Sequence, residues 1–152
     1  MLLTKMINAG HVNFKDRFPD WKAAVRGGCE PLIATGTVDP SYAEEIIACV
    51  EKFGPYIVII PEVAMPHSQE NAAGVFKTAI SFMKVNEPVR FDEQDREKDA
   101  RLFFTLASQN HEAHLENMAA LATMLDNEAL IADLLEAQNV DELKALAQKY
   151  KI

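Results

Sequence analysis

The sequence predicts an α/β fold: a single domain with a central mixed β-sheet flanked by helices and a helical C-terminal part. Three observations carry this. Short apolar, partly β-branched runs occur at 56–60, 77–83 and 101–107, helical patterns precede them, and from Glu112 onward the apolar period is helical throughout. A chain of 152 residues suits one compact domain, since single domains commonly run to about 100–200 residues. No internal repeat or low-complexity segment interrupts it.

The elements follow in order. Asp20 to Arg26 reads as a short helix capped by Asp20 and stopped by Gly27-Gly28, with Trp21 and Val25 on its buried face. Asp39-Pro40 starts a second helix over Ser41 to Phe53, with an apolar stripe of Tyr42, Ile46, Ile47 and Val50, and Gly54-Pro55 ends it. Tyr56-Ile57-Val58-Ile59-Ile60 is continuous and too short for an independent helix, the pattern of a central strand buried on both faces. Pro61 to Ser68, with two prolines and no helical period, reads as an ordered loop at that strand's end. Lys77 to Met83 and Arg101 to Ala107 read as further strands, separated by a charged, solvated excursion from Asn86 to Lys98. Three helical stripes close the chain: Leu115, Met118, Ala122 and Leu125, then Leu130, Leu134 and Leu135, then Leu143, Leu146 and Tyr150.

Composition narrows the function. Hydrophobic residues make up 49% and charged residues 25%, as in an ordinary globular protein. A formal net charge of -8 opposes nucleic-acid phosphates and anionic lipid, so neither is an expected partner. No stretch approaches the roughly 20 apolar residues of a membrane span, and the first six residues lack the plan of a signal peptide. Cytoplasmic residence without membrane insertion is expected. Cys29 and Cys49 have no metal-ligand spacing and read as reduced thiols. Neither phosphate-binding glycine loop, Gly-x-x-x-x-Gly-Lys-Ser/Thr or Gly-x-Gly-x-x-Gly, occurs, so no nucleotide cofactor is implied.

Four histidines, at 11, 67, 111 and 114, are the first candidates for chemistry. His67 ends a proline-restricted loop fed by a buried strand, where one imidazole orientation can be held for nucleophilic attack; the plainer alternative is a surface or structural side chain. His114 lies near the start of a helix, in line with Met118, Leu121 and Leu125, so it faces inward. It reads either as a hydrogen-bonded histidine at the core's edge or as a donor to a phosphoryl group, which a helix N-terminus also favours. His111-Glu112-Ala113-His114 misses the zinc protease spacing by one residue, and no metal site is expected. His11 has no suggestive company.

The ordered set Asp20-Trp21, Tyr42, Phe53-Gly54-Pro55-Tyr56-Ile57-Val58-Ile59, Ala64-Met65-Pro66-His67 and His114-Leu115-Glu116-Asn117-Met118 resembles the mannitol/fructose-type (type 2) enzyme IIA family of bacterial sugar phosphotransferase systems. The resemblance is closest to the ascorbate-specific IIA branch. It runs from about Trp21 to Tyr150 and implies that residues 1–152 form a single EIIA type-2 domain. It further implies that His67 accepts a phosphoryl group from HPr and passes it to a cognate IIB protein linked to a membrane IIC, with His114 supporting the transfer and no cofactor. The arginine that mannitol-type members carry upstream of the active histidine falls on Glu51 here. The alternative within the resemblance is a nitrogen-type IIA protein whose phosphorylation controls protein partners.

Overall fold

Alternation of side chains along two long strands divides the molecule. The computed structural model describes residues 1–69 and 72–152. Its centre is the antiparallel pair β4 (Ala79–Arg90) and β5 (Asp99–Ala107), in register from Ala79 opposite Ala107 to Lys84 opposite Leu102. Because neighbours on a strand point to opposite faces, Met83, Phe103 and Ala107 enter one core while Phe82, Phe104 and Leu106 enter the other. The first core is closed by α2 (Trp21–Ala34) and α3 (Ser41–Phe53), the second by α1 (Leu2–Asn8), α4 (His111–Leu125), α5 (Glu128–Glu136) and α6 (Val140–Tyr150). β1 (Val12–Lys15) runs parallel beside β4, β3 (Glu62–Ala64) parallel beside β5, and β2 (Val58–Ile60) antiparallel outside β3. The sheet is therefore mixed, in the order β1-β4-β5-β3-β2. Among the described residues, no helix is long and apolar enough to cross a membrane.

The expected helix 41–53 and its stripe are present, with Tyr42, Ile46, Ile47 and Val50 buried. Gly54 ends it at a φ of 83°, a left-handed conformation that glycine adopts without a Cβ penalty. Asp20 and Asn110 cap α2 and α4 through side-chain oxygens that accept from Ala23 and Ala113 amides, each at 2.8 Å.

Several expectations are corrected. The pair Gly27-Gly28 does not stop α2, which continues through Pro31 to Ala34. Pro31 has no N–H to offer the Gly27 carbonyl four residues back; Asn13 Nδ2 donates to that carbonyl instead, at 3.1 Å. The run 56–60 is not a central strand: only Val58–Ile60 pairs, at the sheet's edge, and Ile59 is 51% exposed. Part of the predicted loop after it, Glu62–Ala64, is a strand, and β4 extends to Arg90 into the predicted excursion, where Val89 is buried. On α4 the predicted stripe holds only in part: Leu125 is buried and Met118 packs against the core, but Leu115 is 54% exposed and Ala122 is exposed, and Leu121 and Met124 complete the buried face. α1 and β1 had no counterpart in the sequence reading.

Gly28 sets the spacing between α2 and the sheet. Ser81 Oγ donates to its carbonyl at 2.9 Å, and a Cβ on Gly28 would stand 2.8 Å from Thr105 Oγ1. Helix propensity favours Gly28→Ala by about 1 kcal/mol, but forcing a methyl into a packed contact costs about 1–3 kcal/mol. The contact dominates, so chemical denaturation should show Gly28→Ala to be less stable than wild type by up to ~2 kcal/mol. An unchanged or raised midpoint would mean that α2 does not approach the sheet so closely.

Candidate functional site

His67 stands two residues beyond the buried Met65, at the point where the chain leaves β3. The backbone there is held at successive groups. The Met65 amide donates to the Ile57 carbonyl at 2.8 Å, the Pro66 carbonyl accepts from the Leu106 amide at 2.9 Å, and the Ser68 amide donates to the Tyr42 hydroxyl at 3.4 Å. Tyr42 in turn donates to the Leu106 carbonyl at 2.6 Å, joining α3, β5 and the loop. The Tyr56 hydroxyl donates to the His67 carbonyl. Pro66, which has no N–H, explains why the segment leaves the ladder after β3, and these bonds explain why it keeps one shape.

The His67 imidazole has its own anchor. Nδ1 lies 2.6 Å from the Met65 carbonyl. A carbonyl can only accept, so Nδ1 carries the proton and, in the neutral ring, Nε2 keeps its lone pair. Burial pushes the His67 pKa below the usual 6.5; the Met65 bond opposes this and the nearby His114 adds to it. The neutral imidazole is thereby favoured near pH 7.

His114, on the first turn of α4, brings its ring to within 5.4 Å of the His67 ring, centroid to centroid, at a tilt of 42°. The two histidines are 47 positions apart in sequence and share one pocket of about 660 Å³, lined also by Cys49, Phe53, Tyr56, Ser68 and Gln69. No arginine or lysine is among the described residues lining it. Glu51 is outside the pocket and pairs with Lys22 at 3.3 Å. The other two histidines are elsewhere. His11 is buried beside β1 with Nε2 2.9 Å from Thr35 Oγ1, and His111 is an exposed residue at the start of α4. Among the described residues, no group of three or more His, Cys, Asp or Glu is arranged to hold a metal ion.

Chemically, the arrangement offers a nucleophilic imidazole nitrogen with a fixed tautomer and a second imidazole close enough to donate to a group bound on the first. Sequence reasoning singled out both rings. It missed Tyr56, assigned to a buried strand, and the pocket wall from Cys49 and Phe53. The cluster Gly54-Pro55, which breaks the helix and turns the chain, was the available signal that Tyr56 does not continue a strand.

The pattern of the family described as "Phosphoenolpyruvate-dependent sugar phosphotransferase system, EIIA 2" matches residues 5–150. The "Ascorbate-specific PTS system EIIA component" of Mycoplasma pneumoniae is 33% identical over 134 residues, covering 88% of this chain and 82% of that protein. The crystal structure of IIA mannitol from Escherichia coli is similar with a TM-score of 0.78 at 30% identity, covering 91% of this chain and 96% of that one. A solved complex of enzyme IIAMTL and phosphorylated enzyme IIBMTL from Escherichia coli is similar at a TM-score of 0.78 and 29% identity, with 93% and 96% covered. Family pattern, relative and fold agree along nearly the whole chain, which therefore belongs to the EIIA 2 family of the phosphoenolpyruvate-dependent sugar phosphotransferase system.

Proposed function

We propose that this protein is a phosphoryl carrier of an ascorbate-specific phosphotransferase system, with residues 1–152 acting as one EIIA unit in the cytoplasm. It takes a phosphoryl group from phosphorylated HPr onto Nε2 of His67 and passes it to a cognate IIB protein that serves a membrane IIC. The observation that carries the reading is the pairing of His67, its Nδ1 proton held by the Met65 carbonyl, with His114 across one pocket. The ascorbate assignment rests on the name of the Mycoplasma pneumoniae relative, and the IIB acceptor on the solved complex of a IIA relative with its phosphorylated IIB.

In the first transfer the Nε2 lone pair attacks phosphorus while the bond from phosphorus to the donor breaks and its electron pair leaves with the donor. Positive charge grows on the His67 ring as Nε2 forms the new bond. The Nδ1–H bond to Met65 strengthens in response, because its donor becomes charged. His114 donates an N–H to an equatorial oxygen as negative charge spreads over the phosphoryl group. Transfer to IIB runs the same steps with His67 as the leaving group.

Incubation with HPr, enzyme I and phosphoenolpyruvate should add one phosphoryl group by intact mass, and His67→Ala should add none; undiminished labelling of His67→Ala would overturn the assignment. His114→Ala should still be labelled, but with a rate lowered about 100- to 1000-fold in rapid-quench measurements, as for loss of one preorganised donor. A normal rate with a lowered melting temperature would assign His114 to structure alone.

The pH dependence has a definite sign. The folded-state pKa of His67 lies below its ordinary 6.5, so the nucleophile stays neutral at and above that pH and the transfer rate should be level from there upward. Stability should fall as pH drops through 6.5 toward the folded value, because the unfolded chain then binds a proton that the folded site resists. A rate that declined already between pH 8 and pH 7, about half a unit to one and a half units above the ordinary histidine value, would contradict this.

A further inference from the structure

Tyr56 touches His67 in two ways. Its hydroxyl donates to the His67 carbonyl, and its ring meets the imidazole edge-on, with centroids 5.2 Å apart at 88°. On the far side of the same residue, Nδ1 donates to the Met65 carbonyl. We propose that Tyr56 is a positioning residue for His67: by holding the carbonyl while its ring backs the imidazole, it keeps Nδ1 on Met65 and leaves Nε2 for the pocket. The proposal rests on the carrier reading for its functional meaning, and on geometry alone for its effect on the ring.

The two anchors act as a pair. The Met65 bond spans only two residues, so it forms only if the backbone between Met65 and His67 holds one shape. Pro66 is limited at φ by its ring and at ψ by the Leu106 amide on its carbonyl, which leaves His67 to be fixed. The Tyr56 bond holds the His67 carbonyl, on the same peptide whose Ser68 amide makes the longer 3.4 Å bond to Tyr42. It is anchored from a different segment, the turn between α3 and β2. A phenylalanine would give the same ring contact and the same pocket wall, so only the hydroxyl distinguishes positioning from packing. Burial, with Cys49 and Tyr42 nearby, raises the Tyr56 pKa above its usual 10, so the hydroxyl remains a donor wherever the carrier would work.

Tyr56→Phe tests the hydroxyl. Rapid-quench acceptance from phosphorylated HPr, scaled to the folded fraction, should slow about 10- to 100-fold, the range expected when a reacting group is misplaced by up to an ångström. Nitrogen-15 NMR of the unphosphorylated protein should show His67 of the wild type as the Nδ1–H tautomer and a mixture of tautomers in Tyr56→Phe. A purely structural tyrosine would change the melting temperature without changing the tautomer. A variant with wild-type tautomer overturns the proposal at any rate, and so does a variant with wild-type rate. An Nε2–H tautomer in the wild type overturns it without recourse to a variant, even if Tyr56→Phe does not fold. If the wild type takes no phosphoryl group, the carrier reading falls while the tautomer comparison still decides whether Tyr56 holds the ring.

Discussion

The site depends on the four-residue segment Met65-Pro66-His67-Ser68 having almost no freedom. Its amides and carbonyls are tied to Ile57, Leu106, Tyr42 and Tyr56, and one bond closes within the segment from His67 back to Met65. Taken singly, hydrogen bonds of this kind contribute about 1 kcal/mol each to stability. Their importance for the proposed transfer lies in direction, since a nucleophile held in a near-attack orientation removes much of the entropy cost of reaction. The tying partners come from the α3–β2 turn, from α3 and from β5, so the sheet and the first core must be assembled before the imidazole has a fixed orientation.

The second ring arrives by an independent route. α4 packs on the opposite core through Leu121, Met124 and Leu125, and only its first turn reaches the pocket. Cys49 and Phe53 come from α3, which packs on the first core. The pocket thus lies at a seam where the layers on both sides of the sheet meet. The separation of the two rings is set by how both layers sit on β5, which contributes Phe103 to one and Phe104 to the other. Packed interiors shift little, and so rigid a spacing suits the proposed sharing of one phosphoryl group between two imidazoles.

Much of this was legible in the sequence. The helix 41–53 and its stripe followed from period and breakers, and the cap Asp20 matched a helix start because capping is local chemistry. Errors arose where partners are remote. Gly27-Gly28 looks like a stop until Phe18, against Gly27, and the sheet, against Gly28, are present and leave no room for Cβ atoms, and the run at 56–60 looks central because edge and centre differ only in what lies alongside. Leu115 and Ala122 were misplaced on α4 for another reason: alanines and leucines occur all round it, so a 3.6-residue period fits more than one stripe. His67 and His114 stood out by setting and by family resemblance, but their proximity and the hydroxyl of Tyr56 on a carbonyl are tertiary facts.

The interior proline of α2 has a kinetic meaning. A helix normally closes its own hydrogen bonds and can form before anything packs on it. Here the bond missing at Pro31 is completed by Asn13, a residue of β1, which is itself held by pairing with β4, where Met83 opposite Asn13 lies 70 residues further along the chain. The second half of α2 is therefore conditional on a contact of high sequence separation, which loop-closure entropy makes late. The helix is nucleated locally at its Asp20 end and completed globally at its Pro31 end. Opening of β1 would loosen the back of α2 while its front stayed wound, dividing one continuous helix into two cooperative units.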